Sequence, residues 1–343
     1  MKRFIFGSII LLALALILCG FYQNPAWADS KKVFKLKFGS WWPLGHVMTP
    51  IMQDWVKDIE TRTGGRIKIK YYPGDQLLSV KDGREKLSTG VAELGALVPS
   101  RWPAQFPLYM VHSLPFIYSS AKQGAQGIKK MKELGFFDQE FEKNNLKLLW
   151  GFTPPPYQAL LRKKQIKTLE DWKGTRLRSA GGPQKMAVEA LGAVPVFCPP
   201  PELYTGLQRG VIEGAILPLA GAASAFKLEE IIKYITVANL TTVGLALAMN
   251  NDTWKRLPED IQKEIMAASA VAAEKTGIMR DEQEAKLFAA WKKKGIIFYV
   301  PSEAEAMHWK KAIEPICNDF VSKNEAKGLP AKKLMTEIAK LKK

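Results

Sequence analysis

Cysteine is scarce: the 343-residue chain has three, at Cys19, Cys198 and Cys317. That excludes the dense disulfide framework of small secreted domains. Histidine is equally scarce, and His46, His112 and His308 stand far apart, which gives no histidine-rich metal motif. Neither G-x-S-x-G, H-E-x-x-H nor G-x-x-x-x-G-K-[ST] occurs. The sequence therefore offers no catalytic residue, no metal site and no cofactor-binding loop. Repeats and low-complexity tracts are missing too. Beyond the N-terminus no apolar run approaches about 18 residues, so the body of the chain holds no candidate membrane span.

Acidic residues are the minority, 33 against 50 lysines and arginines, for a net charge of +17. The excess is spread out and becomes dense only at Lys292-Lys293-Lys294 and in the tail. It reads as a preference for anionic solutes rather than as a nucleic-acid surface. Export strengthens that reading. Lys2 and Arg3, the apolar run Ile9 to Leu18, and Ala26-Trp27-Ala28 form a secretory signal with cleavage expected after Ala28. Residues 1–28 are then removed and the mature chain works in the periplasm, away from nucleic acid. Cys19 raises a lipoprotein alternative, which Leu18 immediately before it disfavours. The mature chain is long enough for two domains. Its two remaining cysteines, Cys198 and Cys317, either pair or stay as two buried thiols.

The pattern along the chain is α/β. Phe34, Leu36 and Phe38 alternate with Lys35 and Lys37, and Ile67, Ile69 and Tyr71 with Lys68 and Lys70, as strands do. Val47, Ile51, Trp55 and Ile59 mark a helix between them. A third strand enters at about Gly90 to Gly95. Loops at the C-terminal ends of such parallel strands are where ligands bind. Leu146 to Phe152 reads as a strand and Thr153-Pro154-Pro155-Pro156 as a hinge, because proline is stiff and disfavours helix before it. From Glu259 to about Lys294 no proline intervenes and only Gly277 interrupts, which predicts a helix of roughly 50 Å.

The stretch Thr168 to Leu219 carries the chemistry. Arg176-Leu177-Arg178 is a short strand, and Gly181-Gly182-Pro183 opens a helix with Met186, Ala187, Ala190 and Leu191 on one face. A second pass follows, Val194 to Phe197 and a helix from about Pro201 to Gln208. An arginine at a strand end before a helix N-terminus favours a carboxylate, which a guanidinium holds by two parallel hydrogen bonds. Alternation sends Arg176 to the opposite, solvated face.

The words E-D-W-K-G-T-R-L-R, L-G-A-V-P-V and E-L-Y-T-G-L-Q-R-G-V-I-E-G resemble the DctP family, the extracytoplasmic solute receptors of tripartite ATP-independent periplasmic (TRAP) transporters. W-P-L-G-H, Y-P-G-D-Q-L and F-P-L-Y-M-V-H-S-L-P-F extend the resemblance over nearly the whole mature chain. It implies a two-lobed periplasmic-binding-protein-like fold, each lobe a mixed sheet flanked by helices, with a long helix spanning both. Lobe I would comprise residues 29–155 plus 245–283, and lobe II residues 156–244 plus 284–343, with hinges near Thr153–Tyr157 and Thr242–Leu245. It also implies capture of an organic carboxylate and its delivery to membrane permease subunits; closure by hinge motion and a monomer are expected with it, the oligomeric state being left open by the sequence.

For the site, the resemblance places the carboxylate-binding arginine at Arg178. Trp42 and His46, with Trp41, follow the first strand, where they suit a pocket wall as well as core or cap positions. Tyr157 and Gln158 follow the hinge, and some members resemble this region but carry a second arginine where Gln158 stands. Leu217 and Val98 replace an asparagine and a glutamate of sialic-acid-type members. Leucine and valine cannot satisfy many hydroxyls. An apolar or aromatic monocarboxylate, or a small keto or hydroxy acid, is the better fit. A periplasmic enzyme acting on a carboxylic acid and a periplasmic sensor subunit stay open as alternatives.

Overall fold

The structure, a computed structural model, describes residues 32–179, 181–198 and 202–341. The expected export signal at residues 1–28, with Cys19, and the expected helix start at Pro201 lie outside them. In chain order the strands are β1 (Phe34–Gly39), β2 (Ile67–Tyr72), β3 (Leu94–Leu97), β4 (Leu146–Phe152), β5 (Gln158–Leu161) and β6 (Arg176–Arg178). They continue with β7 (Val194–Val196), β8 (Gly214–Leu217), β9 (Tyr234–Thr236), β10 (Leu245–Asn250) and β11 (Ile297–Tyr299). The helices are α1 (Met48–Arg62), α2 (Gly83–Ser88), α3 (Ala121–Glu133), α4 (Asp138–Lys143), α5 (Leu169–Trp172) and α6 (Gly182–Ala190). After them come α7 (Leu203–Arg209), α8 (Asn251–Arg256), α9 (Glu259–Lys293), α10 (Glu303–Glu325) and α11 (Ala331–Lys340).

Two mixed sheets result. The first runs β2-β1-β3-β10-β4 and the second β11-β9-β5-β8-β6-β7. In the first, β1 pairs in parallel with β2 and β3. Leu36 and Phe38 go inward from β1 while its lysines stay outward, as the alternation required. The helix expected after β1 is α1, and it buries Ile51, Met52, Trp55 and Ile59. Strand β10 arrives from the second sheet and runs antiparallel to both β3 and β4, with all six residues buried. In the second sheet β6 pairs in parallel with β7 and β8, and β5 runs antiparallel to β8 and β9.

Two segments cross between the sheets, 153–157 and 237–244. They pair with each other: Tyr157 N donates to Thr241 O at 2.8 Å and Leu240 N to Tyr157 O at 2.9 Å. The long helix α9 has 35 residues, as its lack of proline required. It packs on α1, α3 and β4 of the first sheet and on a π-helical turn, Leu219–Ala223, of the second. Its buried stripe runs Ile261, Ile265, Ala268, Ala272, Thr276, Arg280, Glu284 and Trp291. Gly277 lets the helix meet α3 closely, because a Cβ there would stand 2.8 Å from Lys122 Cα. Helix α11 leans back onto α3, where Gln123 Nε2 donates to Leu341 O at 3.2 Å.

One helical face differs from expectation. In α6 the buried residues are Pro183, Gln184, Ala187 and Val188, with Leu191 just beyond, whereas Met186 and Ala190 face solvent. The apolar stripe starts one position earlier, because Pro183 itself packs. Cys198 and Cys317 belong to different packing clusters, one centred on the second sheet and one running under α10.

Candidate ligand-binding cleft

The site is built from strand ends. On β6, Leu177 is fully buried in the core and the flanking arginines diverge, as a two-residue period demands. Arg176 is exposed: its guanidinium donates to Val211 O at 3.2 Å and Gly210 O at 3.1 Å and lies 3.6 Å from Glu213. Arg178 is only 9 % exposed, and its Nε donates to Cys198 O across a long 3.4 Å. Burial lowers the Arg178 pKa, and Tyr157 and Cys198 counter it. A guanidinium stays charged under that pressure. Among the described residues no carboxylate pairs with this buried cation, which leaves it suited chemically to an anion.

Arg178 opens into a cavity of about 550 Å³ between the two sheets. The first sheet contributes Trp41, Trp42, His46, Val98, Phe152 and Leu245. The second contributes Leu203, Leu217 and Phe226, and the crossing segments Pro154, Tyr157 and Val243. Trp42 is 5 % exposed and serves as both core and wall, with its ring 6.1 Å from Phe152 and stacked 6.2 Å from His46. His46 Nδ1 accepts from Met48 N at 3.1 Å, which fixes the imidazole at the start of α1. The phenol of Tyr157 is pushed up to about 12 by burial, against the pull of Arg178 and Arg280.

Arg178, Trp42, His46, Val98, Tyr157 and Leu217, all singled out in the sequence, line this one cavity. Gln158 does not. It stands opposite Leu217 in the β5–β8 register, but its amide turns back to the crossing segments. Nε2 donates to Pro156 O and Asn239 Oδ1, both at 2.8 Å, and Oε1 accepts from Asn239 N at 3.0 Å. Its role is to tie those segments together.

Sequence reasoning missed Arg280, which enters the cavity from α9 at 4 % exposure. A signal was present: Arg280 and Glu284 continue the stripe of Ala272, Ala273, Thr276 and Gly277 at helical spacing. Charged residues on a buried stripe have to be held by something, and here the turn at Leu219–Ala223 holds them. Among the described residues no cluster of histidine, cysteine, aspartate or glutamate could hold a metal ion, and no helix is long and apolar enough to cross a membrane.

An apolar cleft with a buried arginine, set between two mixed sheets joined by paired crossings and a long helix, defines a two-lobed solute-binding protein. The chain belongs to the DctP family, bacterial extracellular solute-binding proteins of family 7, whose profile matches residues 38–324. It is a receptor of the TRAP type. It is 28 % identical over 294 residues to the C4-dicarboxylate-binding periplasmic protein DctP of Rhodobacter capsulatus, covering 81 % of this chain and 83 % of that one. Among solved structures, a TRAP periplasmic solute-binding protein of Desulfovibrio salexigens DSM2638 superposes with a TM-score of 0.83 at 26 % identity, covering 90 % of this chain and 95 % of that one. In that structure the C-terminus of a symmetry mate is bound in the ligand-binding site. A TRAP solute-binding protein of Rhodoferax ferrireducens T118, in complex with copurified benzoate, superposes with a TM-score of 0.77 at 25 % identity, covering 90 % and 97 %.

Proposed function

We propose that this receptor captures an organic carboxylate with an apolar, preferably aromatic, body, holds the carboxylate on Arg178, and closes its lobes about the crossings at 153–157 and 237–244. The observation that carries the reading is the buried Arg178 on a wall built largely from tryptophan, phenylalanine, leucine and valine. A bidentate arginine supplies orientation and charge. The apolar walls exclude water and strengthen that pair. A sugar acid would leave hydroxyls facing Leu217 and Val98 unpaired, at a cost of about 1–3 kcal/mol each. The benzoate held by the Rhodoferax protein and the chain terminus held by the Desulfovibrio protein are both carboxylates, in keeping with this reading.

Calorimetric titration with benzoate and with a hexuronate decides it: benzoate binds and the sugar acid does not. Binding of the sugar acid alone would reverse the reading. Delivery to membrane permease subunits and a monomeric state complete the proposal. So does export with cleavage after Ala28, which gives a periplasmic protein beginning at Asp29 by intact mass; a lipidated species beginning at Cys19 would refute that step.

A further inference from the structure

Arg280 lines the cleft, yet a single carboxylate on Arg178 leaves it without a task. Its Nη2 donates to Ala220 O at 2.8 Å and its Nη1 to Gln283 Oε1 at 2.9 Å. Its Nε is buried and has no hydrogen-bond partner. A guanidinium carries more N–H groups than those two contacts use. Nε is out of reach from the cavity, but the two Nη groups carry four N–H bonds against two contacts among the described residues, so Arg280 has donors to spare for an acceptor in the cavity.

Charge decides which acceptor. Glu284 lies one turn further along α9 and is the foremost opposite charge acting on Arg280. Its carboxylate accepts from Leu219 N at 2.9 Å and Ala220 N at 2.6 Å, so it is held in place from the second sheet. Glu284 stands behind Arg280 rather than on the cavity wall, and while ionised it offsets the Arg280 charge; burial raises its pKa, and the two backbone N–H bonds and Arg280 counter that. Arg178 differs: the groups acting on it are Tyr157 and Cys198, neither of them a carboxylate. Arg178, Tyr157 and Arg280 all line the same cavity.

We infer that Arg280 is a second recognition residue, which hydrogen-bonds a neutral oxygen acceptor (a hydroxyl, keto or amide oxygen) on a monocarboxylate whose carboxylate sits on Arg178. The cleft then favours a hydroxy- or oxo-substituted monoacid over both the bare acid and the diacid. The bare acid leaves the Arg280 donors unmet. The diacid adds a charge beside Glu284, which already supplies one. This inference rests on the reading above that Arg178 takes the carboxylate.

The test is a matched series titrated by calorimetry: benzoate, the three hydroxybenzoates and the three benzenedicarboxylates. The best hydroxybenzoate is expected to bind at least about tenfold tighter than benzoate, the gain of one hydrogen bond to a charged donor. Every diacid should bind more weakly than that hydroxybenzoate. Arg280→Met/Glu284→Gln removes the pair as a neutral unit and should shrink the hydroxyl preference to within about twofold, while benzoate still binds. Glu284→Gln alone should shift preference towards the diacids. The readout is a ratio of affinities within one protein, which a merely structural role of Arg280 would leave unchanged. A hydroxyl preference that persists in the double variant, or a parent that binds a diacid best, overturns the inference alone. Failure of every acid to bind the parent overturns the aromatic-carboxylate reading and this inference with it.

Discussion

Replacing Arg178 with alanine removes the group proposed to hold the ligand's carboxylate. Arg178 is 9 % exposed, so a carboxylate docked there is drawn out of water, and among the described residues no carboxylate pairs with the guanidinium. Truncating one partner of such a desolvated, hydrogen-bonded pair costs about 2–5 kcal/mol, which is roughly 30-fold to several thousand-fold in affinity. Stability should move far less. Without ligand the buried cation makes a long hydrogen bond to Cys198 O among the described residues, so its removal relieves desolvation as well as losing a contact. Arg178→Lys keeps the charge but loses the planar fork, and should fall between the parent and alanine. Arg176→Ala is the control on the same strand. It gives up a surface pair with Glu213 and two carbonyl contacts, so it should cost some stability and no affinity. Calorimetric titration with benzoate, alongside a thermal melt of each variant, separates the effects. A folded Arg178→Ala that binds like the parent would refute the assignment and place the anion elsewhere.

Three further outcomes are expected. Saturating ligand should reduce the radius of gyration in small-angle scattering if the lobes close, as proposed, about the crossings at 153–157 and 237–244; an unchanged profile contradicts a hinge. Gly277→Ala should lower the melting temperature even though alanine is worth about 1 kcal/mol in a helix interior. The added methyl meets backbone, Lys122 Cα at 2.8 Å, and overpacking of that kind costs about 1–3 kcal/mol, so a stabilised variant would show that α3 moves aside freely. His112 is fully buried, its Nδ1 shares a 2.7 Å hydrogen bond with the Tyr118 hydroxyl, and burial pushes its pKa down to about 3 from 6.5. A depressed imidazole contributes stability above the unfolded-state value and loses it as pH falls, by about 1.4 kcal/mol per unit between 6.5 and 3. In denaturant titrations over that window His112→Gln should show a shallower decline than the parent; equal slopes would exclude the histidine as the source.

Much of this fold was legible because the signals were local. The alternation of Phe34 to Phe38 and Ile67 to Tyr71 has one solution when one face must be buried, and both segments are strands. The proline-free run from Glu259 could hardly be anything but one helix, and α9 ends at Lys293. The site was legible where position follows from strand polarity: Arg178 and Trp42 sit at or just beyond strand ends that open onto the cleft. What escaped depends on tertiary contacts. Gln158 has the right register, but Asn239 across the crossing turns its amide away. Arg280 continues the apolar stripe of α9, but only the turn at Leu219–Ala223, distant in sequence, shows what holds it there. Met186 was placed inward because methionine is apolar, although Pro183 had already taken the inward stripe.

The central claim is that this receptor holds one organic carboxylate against Arg178. Native mass spectrometry of protein purified from its own periplasm tests it most directly, with the released ligand identified by accurate mass. The expected result is a single adduct whose mass is that of one monocarboxylic acid with an apolar body, present in the parent and absent from folded Arg178→Ala. An adduct that persists in the alanine variant, or a ligand without a carboxylate, would contradict the account.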